Sequence, residues 1–446
     1  MLGLGGAIGA GLFVGSGGGI AAAGPGIILS YLFAGALGML VMRMLGEMSA
    51  ALPSSGSFSL HAERALGRWA GFTVGWLYWF LLVVVLAVEA TGAAKIAHGW
   101  LPAVPQWAWV LLFMVVFTGG NLISVRNFGE FEFWFAAVKV FAIVAFLVLA
   151  GLAVFGLLPH TDPVGLANLT GHGGFLPNGW EGVIAGVLAV VFAFGGLEMV
   201  TIAAAESDDP ARSVARAVRS AVWRIAVFYL GSMLLIVMLL PWDSLTPGQS
   251  PYAAVLDAVG VGSAGRLMDV VVFTALLSAL NANLYSSSRM LFSLAGRGEA
   301  PRGLVKVSGG GVPRRTVLVS VAFGFLSVVL NLLWPDTVFM CMLNAVGAIV
   351  LFVWILIALS QLRLRGRLER EGSAAPALRM WGFPYLTWAA LAAMASVLVL
   401  MLADAGSRPQ LLWSGATAAV ILAVAWVREL RSRRAAAADP VGPEGP

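Results

Sequence analysis

The sequence predicts an all-α membrane protein with about twelve transmembrane helices, arranged as a five-plus-five inverted repeat with two extra helices. Of the 446 residues, 60% are hydrophobic and only 11% are charged, against roughly 25% charged in a typical soluble domain. The chain contains twelve apolar runs of about 20 residues, the length that crosses a bilayer. The first and sixth runs are both interrupted by glycines, and such a pair, five runs apart, is typical of inverted-repeat membrane folds.

Short polar or Gly/Pro-rich breaks separate the apolar runs, which are numbered here as spans 1 to 12 in chain order. The spans cover residues 1–23, 26–48, 70–97, 106–125, 130–157, 180–204, 219–241, 267–292, 315–334, 337–361, 380–403 and 410–428. The predicted domains are a first repeat at 1–157, an outer loop at 158–179, a second repeat at 180–361, two additional spans within 362–428, and a disordered cytoplasmic tail at 429–446.

The basic residues predict the orientation of the spans. An even number of spans puts both termini on one side of the membrane. If that side is the cytoplasm, 23 of the 27 Lys and Arg residues lie at inner positions and three at outer positions, as the positive-inside rule requires. The sequence therefore predicts a multi-pass protein of a bacterial inner (plasma) membrane with both termini cytoplasmic. This topology explains the net charge of +5, so the expected partner is the lipid bilayer and no nucleic acid.

Composition also argues against several kinds of chemistry. The single cysteine, Cys341, excludes an internal disulfide and a Cys-rich metal site, and the four histidines lack ligand spacing. No metal and no other cofactor is therefore expected. No span carries paired aspartates, an HExxH motif or a Ser/His pair at its middle, so no enzymatic activity is expected.

Span 1 is built around glycine. Residues 3–19 read GLGGAIGAGLFVGSGGG, and each glycine costs about 1 kcal/mol relative to alanine inside a helix. We expect the helix to unwind at Gly9, Ala10 and Gly11, where freed N–H groups bind an anionic group and freed carbonyls bind a cation. The alternative is close helix packing through small residues, which is the preferred interpretation for Gly15 to Gly19.

Span 6 has a matching break, in the sequence FAFGGLE at residues 192–198. The expected site residues here are Phe192, Ala193, Phe194, Gly195, Gly196 and Leu197. Glu198 follows the break directly. It either exchanges a proton or tunes a site for an ammonium group, or it caps the start of the second half of the span, where the helix dipole favours an acid.

Two further ionisable residues lie within predicted spans. Lys139 is about ten residues into span 5, at a depth where a charge costs roughly 3 kcal/mol and is a functional candidate by default. It is either a proton-coupling group or a static ammonium that holds carbonyls of the broken span 1. Glu89 in span 3 either contacts a substrate amine and takes part in proton coupling, or pairs with an outer polar group.

Weaker candidates are polar or charged residues near the ends and faces of other spans. Ser278 and Asn281 in span 8 either reach the substrate or ion, or form helix-to-helix hydrogen bonds. Charged residues at the inner loop ends either form salt bridges that lock a closed gate or are simply solvated. They are Arg43, Glu47, Arg64, Glu206, Arg212, Arg289 and Arg297.

Several motifs give the chain a family resemblance from one end almost to the other. They include GGAIGAGLFVGSG (5–17), MRMLGEMSAALPSSGSF (42–58), FGEFEFWFAAVKV (128–140), FAFGGLEM (192–199), ESDDP (206–210) and SSSRMLFSLAGRGEAP (286–301). With these motifs the chain resembles the amino acid–polyamine–organocation superfamily, and within it the bacterial permeases for aromatic amino acids, branched-chain amino acids, lysine, proline and 4-aminobutyrate. The resemblance implies a LeuT-like fold and amino acid uptake coupled to protons.

The resemblance also implies a substrate site. Backbone N–H groups around Ala10 and Gly11 would bind the substrate carboxylate. Carbonyls of Ala7, Phe192 and Gly195 would bind the ammonium group, with Ile8 and Gly9 beside them in the site. Phe192 and Phe194 would act as apolar gates. In sodium-coupled relatives of this fold a cation lies between spans 1, 5 and 8, and Lys139 resembles a built-in replacement for it.

Two departures from the family pattern bear on the substrate. The family commonly has Gly-Thr-Gly where this chain has Gly9-Ala10-Gly11, and Gly-Gly-Thr-Glu where it has Gly195-Gly196-Leu197-Glu198. Both changes remove a hydroxyl from the expected pocket, so we expect an apolar, aromatic or proline-like substrate side chain to be favoured.

The sequence therefore predicts a secondary active amino acid transporter that works by alternating access, as a monomer or a homodimer. One alternative is a membrane sensor that binds an amino acid without transporting it. Another follows from the position of Met1, which leaves eight residues before Gly9, or ~12 Å of helix, against ~15 Å for half of the hydrocarbon core. On that alternative the chain is an N-terminally truncated permease with impaired transport.

Overall fold

The computed structural model describes residues 9–52, 58–123, 128–159, 161–196, 198, 210–245, 249–260, 263–308, 312–371 and 378–438. Within these ranges the regular structure is helical. The α-helices are α1 (Ser16–Ala23), α2 (Ile27–Ala51), α3 (Phe58–Leu66), α4 (Arg68–Trp100), α5 (Gln106–Ile123), α6 (Phe128–Val154), α7 (Ala167–Thr170), α8 (Gly179–Phe194), α9 (Pro210–Arg224), α10 (Ser232–Leu239), α11 (Pro251–Ala258), α12 (Ala264–Gly296), α13 (Arg314–Leu333), α14 (Val338–Arg370), α15 (Tyr385–Ala403) and α16 (Arg408–Ala438).

Ten helical stretches in the described ranges are long and apolar enough to cross a membrane. This is fewer than the twelve predicted spans for two physical reasons. The stretch Gly11–Ala51 runs over two predicted spans without a polar break, and Gly24, with φ of +62°, ends α1 inside it. A Cβ on Gly19 would lie 2.9 Å from Ile27 Cδ1, whereas eight residues of straight helix span about 12 Å, so the chain folds back between α1 and α2. The other reason is α8, which has only 16 residues because it stops at Gly195.

The helices divide into an inner group and a lipid-facing group. Helix α4 lies at the centre: 83% of its apolar window is buried, and it packs against α12, α14 and α5. Helix α16 has only 17% of its window buried and exposes large apolar side chains such as Trp413 and Trp426. A helix that presents apolar residues outward is suited to lipid, so the membrane class predicted from composition is confirmed.

Two helices that correspond to spans 1 and 6 depart from regular α geometry and pack together. The first begins with a π-helical turn, Gly11–Gly15, before α1, and Ala10 is helical as well. The residues before Gly9 lie outside the described ranges, so the predicted unwinding of span 1 stays a prediction. The second, α8, ends where Gly195 is extended (φ −61°, ψ 140°) and Gly196 has φ of +93°, a conformation that favours glycine. α8 packs along α1 and the π turn, so the two interruptions lie side by side.

Candidate substrate site at two interrupted helices

The start of the first interrupted helix is bound by an acidic side chain. The backbone N–H of Ala10 donates to both carboxylate oxygens of Glu89, at 3.1 Å each. Ala10 precedes the π turn directly, and its N–H is among the first of that helix, which have no partner of their own within the helix. A carboxylate is therefore bound where span 1 was predicted to hold an anionic group.

Glycine is required on both sides of Ala10 by close approach. A Cβ on Gly9 would overlap Oε1 of Glu89 and would lie 3.1 Å from the Cβ of Ala279. A Cβ on Gly11 would lie 2.7 Å from the Cα of Ala193 and 2.9 Å from a ring carbon of Phe192. The backbones of the two interrupted helices thus touch at Gly11 and Ala193.

Another buried carboxylate follows the second interruption. Glu198 is buried and interacts with the backbone of Gly196 and with the side chains of Tyr78 and Trp354. The residues that directly follow Glu198 lie outside the described ranges, so the capping role and the proton-exchange role of Glu198 both stay predictions. Leu197 lies outside the described residues, as do Ala7 and Ile8.

Lys139 and Glu89 are two buried ionisable residues that interact with each other. Lys139 on α6 is 1% exposed and Glu89 on α4 is 3% exposed, and the two charges interact. Opposite charges attract far more strongly in a low-dielectric interior than in water. Ala10, Glu89 and Lys139 thus connect the break in span 1 to spans 3 and 5.

The two gate candidates have different surroundings. Phe192 lies against Gly11 and is therefore at the break itself. Phe194 stacks on Tyr229, with ring centroids 5.0 Å apart, and meets the ring of Tyr31 edge-on at 6.0 Å. Phe194 is thus held among aromatic rings of α2 and of the π-helical segment Ile225–Gly231.

The polar candidates of span 8 lie on α12 at different places. Ser278 is buried, next in sequence to Ala279, which approaches Gly9. Asn281 accepts a hydrogen bond at 2.8 Å from the amide of Asn121 on α5. That contact is the helix-to-helix hydrogen bond of the sequence alternative.

At the predicted inner end, one of the charged candidates is tied to a neighbouring segment. Glu47 forms an ion pair of 2.8 Å with Arg365, accepts from the Gln361 amide at 2.7 Å and accepts from the backbone N–H of Met380 at 3.1 Å. Glu47 therefore joins α2 to α14 and to the segment that leads into α15. Arg297 pairs with Glu299 at 3.0 Å. Glu206 lies outside the described residues.

Sequence reasoning missed the aromatic partners of this site. Tyr78 and Trp354, beside Glu198, lie in long apolar runs that read as ordinary packing. The signal that could have pointed to Tyr78 was the rarity of tyrosine. The chain has only six tyrosines, and four of them, Tyr31, Tyr78, Tyr229 and Tyr252, are buried in the core.

The interrupted helices, the buried charges and the lipid-facing surface define a membrane protein with the architecture of a secondary transporter. The sequence model of the amino acid permease family matches residues 1–431. The chain belongs to the amino acid permease family.

Curated relatives match over nearly the whole chain. A gamma-aminobutyric acid permease of Bacillus subtilis is 47% identical over 100% of this chain and 95% of its own length. The aromatic amino acid transport protein AroP of Corynebacterium glutamicum is 49% identical over 92% of this chain and 89% of its own. A gamma-aminobutyric acid permease of Escherichia coli is 47% identical over 90% and 86%. These relatives are permeases or transport proteins, and this chain is likewise an amino acid transporter of the bacterial inner membrane.

A solved structure supports the fold. A mutant of the Eremococcus coleocola manganese transporter matches 95% of this chain and 91% of its own, with a TM-score of 0.57 and 14% identity. At that identity the similarity concerns the fold alone, and it agrees with the LeuT-like class that the sequence predicted.

Proposed function

We propose that this chain takes up an amino acid together with protons, by alternating access around the two interrupted helices. The observation that carries the proposal is the contact between the Ala10 N–H and the Glu89 carboxylate. It supports the view that the backbone at the break in span 1 binds a carboxylate, the group that every amino acid substrate offers.

The proposed site uses backbone groups for both ends of the substrate. N–H groups of Ala10 and Gly11 bind its carboxylate, and carbonyls of Ala7, Phe192 and Gly195 bind its ammonium group. A substrate carboxylate and an ionised Glu89 compete for the same N–H group, and two like charges sharing one site disfavour each other's ionised form. Substrate binding is therefore linked to protonation of Glu89 or to its withdrawal from Ala10.

Lys139 is proposed to compensate the charge of Glu89 as the substrate and the proton bind. With Glu89 ionised, its ammonium group faces an opposite charge in a buried setting. When Glu89 takes up a proton, Lys139 loses that partner, and a buried charge without a partner is costly. Proton transfer among Glu89, Lys139 and the cavity is the proposed coupling step, and Glu198 is proposed to tune the ammonium site beside it.

The proposed substrates are amino acids with apolar, aromatic or proline-like side chains. Ala10 and Leu197 offer no hydroxyl at positions where the family commonly has threonine. The aromatic amino acid transport protein of Corynebacterium glutamicum supports this class. The gamma-aminobutyric acid permeases add a second candidate, an amino acid whose amine is distant from its carboxylate.

The proposed topology places both termini in the cytoplasm. Residues 1–157 and 180–361 form the two repeats around the site, and 362–428 holds two further spans. In this orientation Glu47 and Arg365 lie at the inner side, where their ion pair would help to keep the inner ends of α2 and α14 together.

Uptake by the purified full chain in proteoliposomes tests the proposal. Radiolabelled phenylalanine, proline, 4-aminobutyrate and lysine are offered with and without an imposed inward proton gradient. We expect gradient-driven accumulation of one of the first three above its equilibrium level. Binding without accumulation would instead identify a sensor, and a preference for lysine would refute the proposed pocket.

Two variants test the coupling residues. Glu89→Gln removes a charge at the same size and is expected to abolish accumulation driven by the proton gradient. Lys139→Met is expected to do the same. Glu181→Gln is the matched control, because Glu181 is exposed at the start of α8. Full gradient-driven accumulation by Glu89→Gln would overturn the coupling role of Glu89.

A further inference from the structure

A surface cleft lies away from the substrate site, where the start of α4 meets the last turns of α16. Its volume is about 390 Å³, and it is lined on one side by Arg68, Trp69 and Phe72 of α4 and on another by Arg428 and Arg431 of α16. Arg68 is the first residue of α4, and Arg431 follows the apolar part of α16. The cleft is therefore at the membrane surface and not at the middle of the bilayer.

The side chains that line the cleft carry one more positive than negative charge. They include three arginines, Arg68, Arg428 and Arg431, and two carboxylates, Glu299 and Glu429. The Glu299 carboxylate already pairs with Arg297, which is not part of the lining, at 3.0 Å. An arginine side chain also presents a planar fork that suits phosphate oxygens.

Arg428 is held in place with donors to spare. It donates to the carbonyl oxygens of Gly298 at 2.6 Å and of Glu299 at 3.4 Å, and its guanidinium lies 5.1 Å from the centre of the Phe72 ring. A guanidinium has five N–H donors, so three are left. The carbonyl contacts fix the side chain beside the cleft and satisfy two carbonyl oxygens that follow the end of α12, and the Arg428 charge also interacts with the Glu299 carboxylate.

The helix wall beside the cleft is apolar and faces outward. Trp426, Val427 and Leu430 on α16 are 62%, 46% and 41% exposed, and they alternate along the chain with the cleft residues Ala425, Arg428 and Arg431. Exposed apolar side chains on a membrane helix contact acyl chains. A tryptophan at the end of a membrane helix is also typical of the headgroup level.

From this juxtaposition we infer that the cleft binds the phosphate headgroup of an anionic phospholipid, with its acyl chains along the exposed face of α16. A soluble phosphate would use the arginines but not the apolar wall, whereas a lipid uses both. Basic pockets between membrane helices at the membrane surface suit anionic headgroups. The inference does not depend on which amino acid is transported or on proton coupling.

Native mass spectrometry of the delipidated full chain in detergent tests the inference. The probes are dioleoyl phosphatidylglycerol and dioleoyl phosphatidylcholine, which share acyl chains and differ in charge. We expect the phosphatidylglycerol adduct to be at least about tenfold stronger. Removing one arginine is expected to weaken it about fivefold, since each basic residue near an anionic surface contributes about that factor.

Arg431→Gln is the first variant, because Arg431 is exposed and its loss should leave the fold intact. Arg428→Gln together with Arg431→Gln is expected to weaken phosphatidylglycerol binding about 25-fold, while Arg428→Lys keeps the charge and most of the binding. Arg302→Gln is the matched control, an exposed arginine outside the cleft. Thermal unfolding of each variant shows whether it is folded.

Three results would overturn the inference. One is equal binding of the two lipids by the unmodified chain. Another is a failure of the variants to separate: phosphatidylglycerol binding is kept by a folded double variant, or it falls as much in Arg302→Gln as in the cleft variants. The third is displacement of the lipid by an equal concentration of inorganic phosphate, which would identify the cleft as a site for a soluble anion.

Discussion

The contact between Gly11 and Ala193 makes a quantitative prediction. A methyl group added by Gly11→Ala would lie 2.7 Å from the Cα of Ala193, against 3.4 Å for ordinary contact. The two interrupted helices must therefore separate by about 0.7 Å. The opposing atom belongs to the backbone, so no change of side-chain rotamer relieves the overlap. Overpacking of this kind costs about 1–3 kcal/mol.

The cost falls on the conformation in which the two breaks touch. A penalty of about 1–3 kcal/mol shifts a conformational equilibrium by about 5-fold to 150-fold. If transport passes through the arrangement in which Gly11 contacts Ala193, the initial rate of amino acid uptake in proteoliposomes should fall at least about fivefold, and thermal unfolding should occur at a lower temperature.

Two matched glycine variants separate this effect from a general intolerance of alanine. Gly15→Ala meets only the flexible side chain of Leu343 at 3.3 Å and the Ala10 carbonyl oxygen at 3.4 Å, and Gly99→Ala meets nothing within 4 Å. Both should keep most of the uptake and of the stability. If Gly11→Ala leaves uptake and the unfolding temperature unchanged, the reasoning is refuted, because the two helices would then accommodate a methyl group for which the structure shows no space.

Two other predictions concern the predicted inner end of the molecule. Glu47→Gln should lower the unfolding temperature, because Arg365 then loses its 2.8 Å pair with the buried Glu47 carboxylate and keeps only the exposed Glu369, and breaking one side of a buried pair is destabilising. His61 on α3 has its pKa lowered from 6.5 to about 4 by burial and by Arg64. The unfolded chain therefore binds a proton that the folded chain does not, so stability is full above about pH 6.5 and is lost as the pH falls toward 4, by up to about 3 kcal/mol.

Each has a control. For Glu47, the double variant with Arg365→Gln should be less destabilised than the sum of the two single variants, since it removes both charges of the buried pair, and strict additivity would contradict the pairing. For His61, unfolding temperatures at pH 7 and pH 5 are compared with those of His61→Gln. The variant should lose part of the acid sensitivity, and an identical pH profile would show that His61 does not cause it.

The sequence predicted the fold class because the signal for membrane insertion lies within each segment of the chain. Runs of apolar residues must be helices in a bilayer, since every backbone N–H and carbonyl needs a partner within the segment. The sequence also predicted glycine breaks at Gly9–Gly11 and at Gly195 and Gly196, because glycines inside an apolar span depart from that rule. The structure places a π turn at Gly11–Gly15 and an extended residue at Gly195.

Other features required long-range contacts that no local pattern encodes. Nothing near Glu89 in the chain shows that its carboxylate meets Ala10, which is 79 residues away. The sequence left two interpretations of Asn281, a substrate or ion contact and a helix-to-helix hydrogen bond. The structure shows that Asn121, 160 residues away, donates a hydrogen bond to it. Side-chain direction on an apolar helix is set by packing against neighbours, and sequence periodicity is weak when nearly every position is apolar.

The sequence alone determined that this chain spans the membrane as apolar helices and predicted which two of them are broken, because hydrophobic length and glycine content act within each segment. The tertiary structure alone decided what the breaks meet. It placed the Glu89 carboxylate within hydrogen-bond distance of the Ala10 N–H, Lys139 near Glu89, and Gly11 in contact with Ala193. These pairings depend on how separate helices pack in space.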